Sequence, residues 1–233
     1  MAKQSTFSAL IPRSSLDFLK AIGKNNNREW FNAHKAEFQQ EQEHIAAFAE
    51  GILRALQAHD EIETASGKSS LYRIYRDTRF SPDKTPYKSN WSGGFKRATR
   101  QRRGSYYFQI EPGKSFVAGG FWGPVPQDLK RVREDIAFDA APLRKIINSA
   151  SFRSSFGSLT GEQVKTAPKG FEATHEAIDL LRYKQFLLVR KFSDEEVLSA
   201  SFPGEVGKTF KHMRPFLDYM SEVLTTDTNG LEL

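Results

Sequence analysis

The sequence contains no cysteine in its 233 residues. Disulfide bonds, catalytic thiolates, zinc sites with thiolate ligands and iron–sulfur clusters are therefore excluded. The absence of cysteine is also compatible with a reducing compartment. No run of apolar residues approaches the roughly 20 that a membrane-spanning helix needs, and residues 1–15 have no apolar segment of signal-peptide length. We therefore expect a soluble, cytoplasmic protein that does not associate with membranes.

Several familiar catalytic motifs are also missing. The sequence has no GxGxxG, no Walker phosphate loop and no GxSxG. The five histidines are scattered along the chain: His34, His44, His59, His175 and His212. His175 and Asp179 are four positions apart on a predicted helix and could offer two metal ligands, but a chance pair is the more common origin of such spacing. The sequence therefore predicts no metal site and no cofactor.

Hydrophobic periodicity predicts helices at both ends of the chain and strands between them. Apolar residues recur every three or four positions over 30–56 and 206–224, which is typical of amphipathic helices. Residues 105–122 alternate around a central turn, which predicts a β-hairpin. Additional strands are expected over 71–76, 90–97 and 184–192, whereas 151–172 is expected to be irregular. This order predicts an α+β fold with a mostly antiparallel sheet packed against helices from both ends of the chain.

The domain organisation is predicted to be simple. We find no internal repeat, low-complexity tract or clear linker, and 233 residues suffice for one large domain. We expect a single domain over 14–226. A flexible N-terminal arm (1–13) and a C-terminal tail (227–233) would flank it.

The positive charge is concentrated in one part of the chain. The net charge is +6, but residues 71–103 contain ten basic and two acidic side chains, an excess of +8. A positive balance favours acidic partners such as phosphorylated metabolites or nucleic acid. Aromatic residues lie among the cations of this segment. The cations up to position 88 are Arg73, Arg76, Arg79, Lys84 and Lys88. Cations this close repel one another unless an anion lies between them, so the segment predicts an anion-binding site.

The residue types in 72–88 suit a phosphate or carboxylate ligand. Guanidinium groups are planar and bind such anions through two parallel hydrogen bonds, so the three arginines would hold the ligand. The lysines would supply point charges. The weaker candidates for catalysis are Asp77, Asp83 and Tyr87. Either aspartate would orient the cations or act as a general base, and Tyr87 would supply a hydroxyl group. Whether the ligand is only bound or also converted is left open.

Two other interpretations of the same charges stay open. The basic surface of residues 73–103, including the run KRATRQRRG at 96–104, would suit a nucleic-acid backbone. However, no recognised nucleic-acid motif accompanies it. Alternatively, the cations are paired internally and the protein has a structural or interaction role. The sequence does not indicate the oligomeric state.

The chain resembles the DUF2461 family, a domain of unknown function. The resemblance lies in NNNREWFNAHKAEF at 25–38, YRIYRDTRFSPDKTPYK at 72–88, YYFQIEPGKSFVAGGFW at 106–122, KTAPKGF at 165–171 and HEAIDLLRYKQFLLVRKFSDEEVL at 175–198. It spans nearly the whole chain in order and implies a single domain, but it implies no activity.

The family pattern also bears on which residues belong to the site. It includes the arginines of 72–88 and the DKTPYK element, and it adds Glu111, Arg182 and Lys184 as candidate ligand-binding residues. The run 97–103 lies outside the pattern, so we interpret it as a solvated turn. The resemblance thus favours a small anionic ligand over nucleic acid.

Overall fold

The computed structural model describes residues 9–98, 100–226 and 231. The predicted arm and tail therefore lie largely outside the described residues. The helices are α1 (Arg13–Lys24), α2 (Arg28–Ala33), α3 (Lys35–Gln57), α4 (Gly67–Ser70), α5 (Pro126–Phe138), α6 (Ala141–Ile147), α7 (Ala150–Phe156), α8 (Ile178–Leu181), α9 (Asp194–Val197) and α10 (Phe202–Thr225). The strands are β1 (Trp91–Lys96), β2 (Ser105–Ile110), β3 (Ser115–Phe121) and β4 (Phe186–Phe192).

The four strands form one antiparallel sheet in the order β1-β2-β3-β4, which confirms the α+β fold. The alternation predicted for β2 is confirmed, since Tyr106, Phe108 and Ile110 are fully buried. Where β3 pairs with β4, Gly120 has a φ of 119°. A Cβ at this position would lie 2.2 Å from the carbonyl oxygen of Phe186, so the close approach of the two strands requires glycine.

The described residues divide into two compact units. The first unit takes its residues from Met1–Phe95, Tyr107–Val117 and Lys191–Lys208, and the second from Lys96–Tyr106, Ala118–Arg190 and Thr209–Leu233. That 14–226 forms a single domain stays a prediction. Among the described residues, no helix combines the length and the apolar character needed to cross a membrane.

Aromatic packing forms the core of the first unit. Phe48 of α3 contacts Phe108 of β2 edge-on at 5.5 Å and stacks on Phe202 of α10 at 5.4 Å. Trp91 of β1 stacks with Phe18 of α1 at 5.8 Å between ring centroids. Large aromatic side chains bury much apolar surface and gain further from their pairing geometry. Phe202 also contacts Phe192 of β4 edge-on at 5.2 Å. Helices from both ends of the chain therefore pack on the sheet residues of this unit, as predicted.

The core of the second unit contains a helix that the sequence pattern did not predict. Residues 151–156, expected to be irregular, belong to α7, which Ser149 caps by accepting a hydrogen bond from the Phe152 N–H. Phe152 and Phe156 lie four positions apart, are buried, and contact each other at 5.2 Å. Two apolar positions are too few to define a periodicity, which explains why the prediction failed here.

The strand predicted over 71–76 was also wrong. Only Leu71 and Tyr75 make isolated bridges, to Gly93 and Tyr87 respectively. Proline has no N–H to donate to a ladder, and Pro86 lies opposite the end of the predicted strand, where its carbonyl accepts from the Arg76 N–H. The pairing is therefore intermittent, and residues 72–88 form an irregular loop.

Candidate anion-binding site

The loop 72–88 is anchored to the N-terminal helices of the first unit through Tyr87. The Asn26 side chain donates to the Tyr87 carbonyl at 2.9 Å, and the Tyr87 N–H donates to Asn26 Oδ1 at 3.0 Å. The Tyr87 ring is buried and stacks on Phe31 of α2 with centroids 4.2 Å apart. Burial raises the pKa of the Tyr87 hydroxyl. This packing gives the residue a structural role in holding the loop.

One of the predicted cations, Arg76, is neutralised inside the loop itself. The Arg76 guanidinium pairs with Asp83 and donates to the Thr85 hydroxyl. The Thr85 N–H and the Arg76 guanidinium together lower the pKa of Asp83 to about 2. A carboxylate with so low a pKa is a weak base, so this arrangement argues against Asp83 as a proton acceptor.

Arg79 and Lys84 are also held by groups of the same loop. Arg79 binds Asp77 with two hydrogen bonds, Nε to Oδ1 at 3.0 Å and Nη2 to Oδ2 at 2.6 Å. These bonds lower the pKa of the Asp77 carboxyl. The Lys84 amine donates to the carbonyl of Thr78 at 2.8 Å. Internal pairing, one of the alternatives raised by the sequence, therefore describes this part of the loop.

Arg73 and Lys88 differ from the other cations of the loop. Neither side chain has an ion-pair or hydrogen-bond partner within the part of the chain that the structure describes, whereas Lys84 has at least the Thr78 carbonyl. Arg73 is exposed, whereas Lys88 is partly buried with its Nζ 5.8 Å from the centre of the Tyr72 ring. Burial lowers the pKa of the Lys88 amine, and the neighbouring Arg73 charge lowers it further. The two cations are therefore close enough to repel each other.

A row of polar side chains continues from Tyr72 along β2. The Tyr72 ring stacks on Tyr107 of β2, with centroids 6.1 Å apart and an interplanar angle of 28°. The Tyr107 hydroxyl donates to Gln109 Oε1 at 2.8 Å, and Gln109 Nε2 donates to Glu111 Oε2 at 2.7 Å. Lys114 Nζ lies 3.7 Å from the second oxygen of Glu111. Burial raises the pKa of the Tyr107 hydroxyl. The row connects the predicted residue Glu111 to the loop.

We define the candidate site as Tyr72, Arg73, Lys88, Tyr107, Gln109 and Glu111. Sequence reasoning named three of these as ligand-binding residues and missed Tyr72, Tyr107 and Gln109. A signal for the last two was present, because residues 107, 109 and 111 alternate with the buried positions of β2 and so share one face of the strand. The pattern indicated a face, but it did not indicate that the face met the basic loop.

Arg182 and Lys184, the remaining predicted site residues, belong to the second unit. Lys184 pairs with Glu162 at 2.7 Å, and this hydrogen bond lowers the pKa of the Glu162 carboxyl. The Nε of Arg182 is buried and has no hydrogen-bond partner among the described residues. In the same turn, the Tyr183 hydroxyl donates to the Leu159 carbonyl at 2.9 Å. Lys184 and Tyr183 thus have local structural partners.

The basic run 97–103 is only partly a solvated turn, so that prediction was wrong for two of its arginines. Arg97 is 1% exposed, pairs with Asp218 of α10, and donates to Ser221 Oγ at 3.1 Å and to the Arg103 carbonyl at 3.0 Å. The Arg103 side chain pairs with Asp128 of α5. These charges hold the turn to helices of the second unit.

No group of three or more His, Asp or Glu side chains suited to a metal ion occurs in residues 9–98, 100–226 and 231. The His175–Asp179 pair has other partners. His175 Nδ1 accepts from the Ala177 N–H at 3.1 Å, and Asp179 binds Arg144 at 2.7 Å.

Residues 14–219 match the family described as conserved hypothetical protein (DUF2461). The chain belongs to this family. The match covers the loop 72–88, the strand carrying Tyr107 and Gln109, and the segment around Arg182, in agreement with the resemblance seen in the sequence. Neither a curated protein nor a solved structure matches the chain. The family description names no activity, so the function has to be inferred from the geometry of the site.

Proposed function

We propose that the protein binds a small phosphorylated or carboxylated ligand at the candidate site. The observation that supports this proposal is the contrast within one loop. Arg76 and Arg79 are each neutralised by an aspartate of the loop, whereas the side chains of Arg73 and Lys88 have no ion-pair or hydrogen-bond partner among the described residues, and the Arg73 charge contributes to the lowered pKa of Lys88.

The energetics of this cation pair favour an anion between the two groups. Two like charges raise each other's free energy, and partial burial of Lys88 removes part of the water that would screen them. A phosphate or carboxylate between the two groups would offset the repulsion between the cations and the loss of water around Lys88. Arg73 presents a planar donor pair for two oxygens, and Lys88 presents a single ammonium.

The surroundings limit the size of the ligand. Only two cations of the loop are available in this way, which suits one phosphate or carboxylate group rather than a long polyanion. The ring of Tyr72 is 53% exposed and lies beside Lys88, so it offers an apolar surface to the rest of the ligand. The paired state of Arg97 and Arg103 reduces the basic surface left for nucleic acid.

Thermal unfolding in the presence of defined anions tests the proposal. Inorganic phosphate, pyruvate and citrate are compared with sodium chloride at equal ionic strength. A ligand that binds only the folded state stabilises it by about 2.7 kcal/mol at a concentration 100 times its Kd. We expect a saturable rise in Tm with at least one of the anions, and its loss in the Arg73→Gln and Lys88→Met variants.

Arg54→Gln is the matched control, because Arg54 is an exposed arginine of α3 whose nearest carboxylate is Glu50 at 3.7 Å. It should keep the full response. No rise beyond chloride with any anion, or an undiminished rise in the Arg73→Gln/Lys88→Met double variant, would refute the proposal. A single-stranded oligonucleotide forms a separate arm. Salt-sensitive binding that depends on Arg100 and Arg102 would favour the nucleic-acid alternative instead.

A further inference from the structure

The polar row of the candidate site is a chain of hydrogen bonds whose direction is fixed by its last member. An ionised carboxylate only accepts hydrogen bonds, so Glu111 Oε2 receives the Nε2–H of Gln109 at 2.7 Å. The amide oxygen of Gln109 is thereby turned toward Tyr107, whose hydroxyl donates to it at 2.8 Å. Every proton of the chain points from Tyr107 toward Glu111, and Glu111 is the terminal acceptor.

Two hydrogen-bonding groups at the end of this chain lack a partner in the described parts of the protein. Gln109 Nε2 carries two N–H groups, and only one of them is used. Glu111 Oε1 accepts no hydrogen bond there either, since Lys114 Nζ lies 3.7 Å away. Gln109 is only partly buried, and 19% of the Glu111 side chain is exposed. The site therefore offers one donor and one carboxylate acceptor next to each other.

The turn between β2 and β3 holds the backbone of Glu111 in place. The Glu111 N–H donates to Ser115 Oγ at 3.1 Å, and Ser115 Oγ donates to the Glu111 carbonyl at 3.0 Å. The Lys114 N–H donates to the same carbonyl at 2.9 Å. Within the turn, the Gly113 N–H donates to Asp194 of α9 at 2.7 Å. A side chain on so rigid a turn loses less conformational freedom when it binds a ligand.

The chemistry of these two groups selects hydroxyl groups on the ligand. A hydroxyl oxygen accepts one hydrogen bond while its proton donates another, so one hydroxyl or two neighbouring hydroxyls satisfy Gln109 and Glu111 together. An ammonium group has no acceptor for the Gln109 N–H, and the charge of Lys114 beside Glu111 disfavours a second cation. A second anionic group would be repelled by Glu111. This end of the site therefore fits a neutral, hydroxylated part of a ligand.

We propose that the ligand of the candidate site is an anionic sugar, either a sugar phosphate or a sugar acid. Its hydroxyl groups bind the second N–H of Gln109 and the free oxygen of Glu111. Its phosphate or carboxylate is held by the two unpaired cations of the loop, Arg73 and Lys88. This inference rests on the proposed anion-binding function and specifies its ligand class. The Tyr72 ring, which is 53% exposed, lies between the two ends and offers an apolar surface to the C–H groups of a sugar.

The contacts along the site indicate a ligand longer than a three-carbon compound. Lys88 Nζ lies 5.8 Å from the centre of the Tyr72 ring, and the rings of Tyr72 and Tyr107 are 6.1 Å apart. Two further hydrogen bonds, through Gln109, separate the Tyr107 hydroxyl from Glu111. We therefore expect a three-carbon phosphate to reach the cations only, and a larger sugar phosphate to reach Gln109 and Glu111 as well.

Calorimetric titration of the full-length protein tests the inference. Inorganic phosphate, glycerol 3-phosphate, glucose 6-phosphate and trehalose 6-phosphate form a series of increasing length, and acetate and glucuronate form the carboxylate arm. Adenosine 5′-monophosphate is included because a nucleobase also carries donors and acceptors. Each compound is titrated into the wild type and into Glu111→Gln, which keeps an acceptor for Gln109 but removes the carboxylate. Glu134→Gln is the matched control, because Glu134 is an exposed glutamate of α5 with Lys130 at 3.5 Å.

We expect a sugar of at least one arm to bind about tenfold more tightly than its parent anion, phosphate or acetate, which is the gain expected from two hydrogen bonds. The arm that shows this gain identifies the ligand as a sugar phosphate or as a sugar acid. The gain should disappear in Glu111→Gln and persist in Glu134→Gln. Affinity for the parent anion should change by less than about twofold in Glu111→Gln, because salt screens a distant charge. Gln109→Leu, which removes the donor, should also abolish the gain.

The same titrations give the results that would overturn the inference. Sugars that bind no more tightly than their parent anions would exclude the sugar ligand and leave the anion site intact. No binding of any anion would refute the anion site as well. A gain that Glu111→Gln and Gln109→Leu do not change would place the hydroxyl groups elsewhere. Adenosine 5′-monophosphate binding more tightly than every sugar, with a loss in Glu111→Gln, would assign these groups to a nucleobase instead.

Discussion

Replacement of the buried Arg97 should show how strongly the basic turn stabilises the fold. Arg97→Ala removes the ion pair with Asp218 and the hydrogen bonds to Ser221 Oγ and the Arg103 carbonyl. The side chain is among the largest that are fully buried. Its removal therefore takes away packing as well as charge.

The expected magnitude follows from the state in which Asp218 is left. Removing one partner of a buried ion pair costs about 3–5 kcal/mol when the other charge is left without compensation. The Asp218 side chain is 46% exposed and keeps Arg214 at 2.9 Å. The charge of Asp218 is therefore not left uncompensated, and the loss comes instead from the charge-assisted hydrogen bonds and the packing of the buried Arg97 side chain. We expect a loss of about 3 kcal/mol in the free energy of unfolding. For a chain of this size, this corresponds to a decrease in Tm of about 6–12 °C.

Urea unfolding followed by circular dichroism measures the change, and agreement with a fluorescence probe would support the two-state analysis. Arg100→Ala is the matched control, because Arg100 is an exposed arginine of the same turn. Its effect should stay within about 0.5 kcal/mol. If Arg97→Ala were as mild as Arg100→Ala, the buried network would not stabilise the fold and our reasoning would be wrong.

Two further predictions concern the second unit. Gly120→Ala should destabilise the protein by at least about 2 kcal/mol, because its φ of 119° is unfavourable for alanine and the new Cβ would meet the Phe186 carbonyl. Urea unfolding measures the loss. Gly123→Ala is the control, because a Cβ at that position meets no neighbouring atom. The hydrogen bond from Arg144 lowers the pKa of Asp179. The stabilisation by this pair is therefore present above the ordinary aspartate pKa and is lost as the pH falls through the lowered one. Asp179→Asn should be less stable than the wild type at neutral pH, by roughly 0.2–1 kcal/mol for so exposed a pair. The difference should vanish in acid, and a difference constant with pH would contradict the assignment.

The sequence predicted regular elements wherever hydrophobic periodicity is long and undisturbed. The alternation of β2 and the stripe of α10 both appear as expected, because each extends over enough residues to define a period. The same reasoning produced a strand at 71–76 that does not form. Residues 71–76 do alternate in polarity, but Pro86 interrupts the segment that would pair with them. The sequence of 71–76 alone cannot predict such an interruption in its partner.

Charge counting predicted the location of the candidate site but not which cations are available. Asp77 and Asp83 lie within a few positions of the arginines they neutralise, yet proximity in sequence did not decide which arginine each would bind. The partner of Arg97 is Asp218, which lies 121 residues away. Only tertiary structure brings such residues together, so a buried arginine was interpreted as a solvated one.

The strand order also has a consequence for synthesis on the ribosome. β1, β2 and β3 are consecutive, but β4 follows only after the intervening segment 122–185 has been made. At about 5–20 residues per second, the edge of β3 stays without its partner for roughly 3 to 13 seconds. An unpaired edge can pair with another chain, but two adjacent glycines, Gly119 and Gly120, lie on this edge. Glycine pairs weakly in strands, so the residues that later allow close approach of β4 also make this edge a poorer template for another chain while β4 is still absent.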